Sequence, residues 1–226
     1  MQDIYKTPSS TLGSVETNKV LRNTYMLLSI TLAFSAVTCF LAMMIGLSYN
    51  VGLVMTLAAI ALIWFVLPKT ENSAAGIWVV FAVTGLVGAG LGPTISYYLA
   101  SVNGGQIVLQ ALAGTALVFG GLSFYALTTK KDFSFLHGFV VIGFMVMIAI
   151  AVFLLIASFL GYSFSTFSLV FSAGIVLLMS ATILYQTSAI IHGGETNYLR
   201  ATITLYVSII NLFTSLLHLI GAASDD

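Results

Sequence analysis

Residues 133–194 read FSFLHGFVVIGFMVMIAIAVFLLIASFLGYSFSTFSLVFSAGIVLLMSATILYQTSAIIHGG, 62 positions without an Asp, Glu, Lys or Arg. A bilayer core about 30 Å thick is crossed by roughly 20 apolar residues in a helix. The stretch is long enough for two such crossings, separated near Gly161. Apolar residues occupy odd and even positions alike, so the alternation of an outer-membrane barrel strand is absent. Working outward, three more charge-free stretches appear, at 23–68, 72–129 and 201–224, of 46, 58 and 24 residues. They hold two, two and one crossings. The expectation is an all-α polytopic membrane protein, a seven-transmembrane-helix bundle, with a six-span arrangement as the alternative.

The composition excludes other classes. Charged residues make up 6% of the 226 and hydrophobic residues 59%, against about 25% charged in an ordinary soluble domain. A soluble enzyme lacks the polar surface it needs. Nucleic-acid binding lacks a basic patch, and a disordered chain would be polar and charged. The single cysteine, Cys39, has no internal disulfide partner.

The spans are expected at 24–47, 51–67, 74–99, 106–127, 135–160, 167–191 and 198–220. Pro68 is expected to stop the second helix, and Gly92-Pro93 to interrupt the third. Residues 1–23 form a polar tail without an apolar pattern, residues 24–222 the bundle, and residues 223–226 a short acidic tail. With the N-terminus inside, Lys6, Lys19, Arg22, Lys69, Lys130, Lys131 and Arg200 all fall on the cytoplasmic side. That is the distribution the positive-inside rule requires. The C-terminus is then outside.

Within the spans, Gly88 and Gly92 form a small-xxx-small pair followed by Pro93. This reads as close helix packing or as a hinge. Gln186, an amide at membrane depth, needs a partner in the bundle. Thr204, Ser208, Asn211, Ser215 and His218 are spaced 4, 3, 4 and 3 apart and share one face of the last helix. That stripe reads as interhelical hydrogen bonding or as the lining of a pathway. His137, His192 and His218 are scattered over both sides, so no metal site is expected. No carboxylate lies in any span, so no catalytic constellation is expected either.

Several segments carry a family resemblance: KVLRNTY at 19–25, GTALVF at 114–119, TTKKD at 128–132, IHGGETNY at 191–198, RAT at 200–202 and LYVS at 205–208. They resemble the Bax-inhibitor (TMBIM) family, most closely its bacterial inner-membrane members, over nearly the whole chain. The loop His192, Gly193, Gly194, Glu195 to Arg200 is the specific part. The resemblance implies a multi-pass protein of the bacterial inner membrane that modulates the FtsH protease with its HflK–HflC partners. It implies that the cytosolic tail is the protease's handle, and that no enzyme activity or cofactor is needed. Other family members are pH-gated calcium leaks that use an aspartate in each of the last two helices. The corresponding positions here are Gln186 and Ser208, so Ca²⁺ conduction under pH control is not expected.

Overall fold

The computed structural model describes residues 9–162 and 165–224, with side chains over 17–162 and 167–224. Residues 1–8, Ser163, Phe164, Asp225 and Asp226 lie outside it. Among the described residues there are seven helices long and apolar enough to cross a membrane. They are α1 (Ser9–Met44), α2 (Tyr49–Thr70), α3 (Ala75–Leu99), α4 (Gly104–Thr129), α5 (Leu136–Phe159), α6 (Ser165–Ile191) and α7 (Tyr198–Ser224). Short connections make neighbours in sequence run antiparallel. The start of α1 and the 2–3, 4–5 and 6–7 loops therefore share one end of the bundle. Lys19, Arg22, Lys69, Lys130, Lys131 and Arg200 all lie at that basic end.

Three boundaries differ from expectation. α1 begins at Ser9, well before Thr24. Once a helix is nucleated each added residue gains a hydrogen bond at small cost, so polarity alone does not end it. The segment 9–23 is thus helical backbone, although its sequence shows no apolar pattern. Pro68 does not stop α2. The helix widens into a π turn at Leu62–Val66, with the Leu67 N–H reaching back to the Leu62 carbonyl, and continues to Thr70. The wider turn makes room for the proline ring, and Thr70 Oγ1 donates to the Val66 carbonyl at 2.9 Å. Pro93 likewise sits inside an unbroken α3. Neighbouring helices tolerate such a proline at membrane depth.

α3 is packed by its glycines. A Cβ at Gly85 would come within 2.9 Å of the Phe34 ring, one at Gly92 within 2.8 Å of Ala42, and one at Gly88 would collide with the Ser35 carbonyl oxygen and Thr38 Oγ1. All three face α1. On another side a Cβ at Gly90 would come within 2.9 Å of the Gly52 carbonyl oxygen on α2. Backbones this close gain the dispersion contacts that lipid, as apolar as the helices, does not supply by exclusion.

α7 is the centre of the bundle. Leu199, Leu205, Tyr206, Leu212 and Leu217 are buried there against α1, α3, α4 and α6. α5 is the opposite case: among its residues only Val140 and Ala157 are buried, and it packs chiefly on α6. A helix apolar on every side and exposed on most of them is stable in hydrocarbon and nowhere else.

Candidate functional site

The polar stripe of α7 does less interhelical bonding than its spacing suggests. Thr204 Oγ1 donates to the Arg200 carbonyl at 3.0 Å, Ser208 Oγ to the Thr204 carbonyl at 2.8 Å, and Asn211 Nδ2 to the Val207 carbonyl at 2.8 Å. Short polar side chains fold back on the preceding turn because its carbonyl is the nearest acceptor. Only His218 reaches another helix, with Nδ1 2.9 Å from Ser172 Oγ on α6. Ser208 and Ser215 are buried, while Thr204, Asn211 and His218 are half-buried.

A stronger cross-helix link comes from Tyr206, which lies off that stripe. Its hydroxyl lies 2.7 Å from Ser35 Oγ on α1 and donates to the Thr84 carbonyl on α3 at 3.1 Å. Tyr206 is fully buried. A phenol is long enough to pass its own backbone, which a serine is not. Tyr25 Oη and Thr187 Oγ1, 3.4 Å apart, link α1 to α6.

Gln186 lies in α6 between buried Ile183 and Ile190, itself 5% exposed. Its Nε2 has no hydrogen-bond partner among the described residues, as is true of Thr24 Oγ1 and Ser123 Oγ. No hydrogen bond joins Gln186 to Ser208, whose hydroxyl is committed to its own helix. Gln186 and Ser208 are thus neutral groups that do not bond each other. Gln186 cannot ionise, and a serine hydroxyl does not titrate near neutrality.

The basic end holds most of the charged contacts. Arg200 lies 3.0 Å from Glu71 and 3.6 Å from Glu195, so the 2–3 and 6–7 loops are tied through one guanidinium. Asn197 is the hub beneath it. Its Oδ1 accepts from the N–H of Leu199 at 2.9 Å and of Arg200 at 3.2 Å, capping α7. Its Nδ2 donates to the Glu71 carbonyl at 2.9 Å and to Asn72 Oδ1 at 3.1 Å. Its backbone N–H donates to Glu195 at 2.8 Å. Asn197, Glu71 and Asn72 are absent from the residues singled out by sequence. An asparagine just ahead of a helix start is an N-cap signal, and it was there to be read. His192 Nε2 faces the Lys130 carbonyl at 3.1 Å, which ties the 4–5 loop to α6. In the same loop the N–H and hydroxyl of Ser134 hold the Asp132 carboxyl below its usual range. Gly193 takes a φ of +76°, the left-handed turn that ends α6 and suits glycine.

A cavity of about 480 Å³ lies between α1, α3, α4 and α7, lined by Cys39, Phe40, Leu112, Thr115, Phe119 and Phe213 among others. Its surface is overwhelmingly apolar. Among the described residues no cluster of three or more His, Cys, Asp and Glu could hold a metal ion.

The family described as "Inhibitor of apoptosis-promoting Bax1" matches residues 17–225. A "Modulator of FtsH protease YccA" of Escherichia coli K12 is 46% identical over 212 residues, 94% of each chain. The same protein in Escherichia coli O6:H1, described as "Inner membrane protein YccA", matches equally, at 46% over 94% of each chain. An uncharacterized protein of Pseudomonas aeruginosa is 48% identical over 222 residues, 98% of this chain and 97% of its own.

Proposed function

This chain belongs to the Bax inhibitor family, and on that basis we propose that it modulates the FtsH protease, with HflK and HflC, as a substrate that resists extraction. It sits in the inner membrane as a multi-pass helical protein. Its N-terminus and basic end face the cytoplasm, where all its Lys and Arg then lie. The segment ahead of the α1 span is the handle that the protease grips. The bundle is the anchor that holds against the pull. Such a protein needs no catalysis of its own.

The observation that carries this reading is the kinship with a named FtsH modulator over 94% of both chains. The packing supports it. Pulling on α1 must separate it from the glycine face of α3, break the Tyr206–Ser35 bond and expose buried hydroxyls to hydrocarbon. Those losses fall together, which makes a bundle kinetically hard to take apart. A calcium leak is the alternative within the family. The neutral Gln186 and Ser208, which do not bond each other, argue against it, since hard Ca²⁺ is bound through carboxylate oxygens.

The handle is tested by deleting residues 1–16, ahead of the span that starts at Thr17. Purified FtsH in proteoliposomes should degrade the full chain slowly and the truncated chain not at all, with both showing the same helicity. Equal degradation of the two would remove the handle from the account.

A further inference from the structure

α1 and α4 both pack on α7 and form no packed interface with each other. The space between them is the 480 Å³ cavity, and it has the shape of a slot. Its lining runs from Leu32 to Met43 on α1 and from Val108 to Phe119 on the antiparallel α4. At about 1.5 Å per residue that is about 16 Å on each helix, close to half of a roughly 30 Å hydrocarbon core. It is the half away from the basic end, since Met43 and Val108 lie near the opposite ends of their helices. On the basic side the Phe119 ring, its centroid 6.2 Å from that of Tyr25, closes the slot. Ile209 and Phe213 of α7 form the back wall. Phe40 and Leu112 line the slot yet are 60% and 52% exposed. The mouth therefore opens sideways between α1 and α4, into lipid.

The lining offers little to a polar ligand. Ser35 Oγ is bonded to Tyr206, and Thr115 Oγ1 donates to the Ala111 carbonyl at 2.7 Å. Cys39 adds only a thiol, a weak donor. A water needs about two to four polar partners, so the slot does not suit water. A helix is about 10 Å across, roughly 80 Å² in section. The slot averages about 30 Å² over its length, too narrow for a helix of a second copy. A single file of methylenes, making contact at about 4 Å, fits. The connections at the open end, residues 45–48 and 100–103, carry no charge, so no charged group there selects a headgroup.

We propose that this slot binds one acyl chain of a membrane lipid, drawn from the leaflet opposite the basic end and recognised by its chain rather than its headgroup. An empty slot forfeits dispersion contacts on every atom that lines it. A methylene chain restores them and leaves no polar group unpaired. The chain then ties α1 to α4 where the two helices do not pack on each other. The site does not involve Gln186 or Ser208, neither of which lines it. It does not rest on the protease reading.

The test uses the full chain in proteoliposomes of phosphatidylethanolamine and phosphatidylglycerol, with a trace of either lipid carrying a diazirine midway along one acyl chain. After irradiation the cross-linked peptides are mapped by mass spectrometry. Relative to exposed area, label should concentrate on residues 32–43 and 108–119 over α5, which presents most of its surface to lipid. It should do so equally with either headgroup. Ala36 and Ala116 line the slot from its two sides. In the double variant Ala36→Phe, Ala116→Phe the excess label on the two segments should be lost, with the label on α5 unchanged. Label spread in proportion to exposure in the native chain overturns the site. So does slot label that depends on the headgroup or survives both substitutions. Should the double variant fail to fold, the distribution of label on the native chain decides alone.

Discussion

Gly88→Ala is the most informative single change in the bundle. The new Cβ would fall on the Ser35 carbonyl oxygen and Thr38 Oγ1, and 2.7 Å from Ser35 Oγ. The first is backbone and the other two are held by hydrogen bonds, so rotating a flexible side chain gives no relief. α1 must move away from α3. That shift also strains the Ser35–Tyr206 bond, 2.7 Å in length, that pins α1 to α7. Overpacking of this kind costs about 1–3 kcal/mol. Alanine returns about 1 kcal/mol through its better helix propensity, which leaves a net loss of about 0–2 kcal/mol. Gly121 on α4 is the control, since a Cβ there meets nothing within 4 Å. Gly121→Ala keeps only the propensity gain, so the pair should differ by the overpacking cost alone, about 1–3 kcal/mol. Reversible unfolding in mixed micelles with rising SDS, followed by circular dichroism, measures both. Equal stability of Gly88→Ala and Gly121→Ala would refute the glycine-face argument. On the proposed function, Gly88→Ala should also be degraded faster by FtsH.

Two further outcomes follow from the hydrogen bonds. Tyr206→Phe removes a hydroxyl that reaches two other helices and leaves Ser35 Oγ without it, so it should lose about 1–2 kcal/mol in the same SDS titration. Asp132 has its carboxyl held low by the N–H and hydroxyl of Ser134. Its contribution is present above the ordinary aspartate value, near pH 4, and is lost as pH falls through the lower folded value. Asp132→Asn should therefore flatten the acid end of the stability–pH curve, read from the SDS midpoint between pH 2.5 and 7.

The seven crossings were legible because charge is so scarce that its absence marks each span. Gly88 and Gly92 were legible as packing residues because the small-xxx-small spacing has one face. What the sequence concealed were the accommodations. Pro68 and Pro93 read as breaks, yet a π turn absorbs one and dense packing the other, and neither device has a local sequence signature. The role of Tyr206 was hidden because helical spacing assigns a direction to Cβ and not to a hydroxyl several bonds away. The stripe from Thr204 to His218 shares a face as its spacing requires. Sequence could not show that most of those side chains turn back to their own helix. The contacts joining Arg200 to Glu71 and His192 to Lys130 span more than sixty positions, and only folding brings them together.

On the proposed function, the protein restrains FtsH by being bound and resisting extraction. The direct measurement is the rate at which purified FtsH, with HflK and HflC in proteoliposomes, degrades an unrelated membrane substrate as the full chain is added. A saturable slowing is expected, restored to the original rate when residues 1–16 are removed from the added protein. An unchanged rate at every concentration, with the added protein folded in the same membrane, would contradict it.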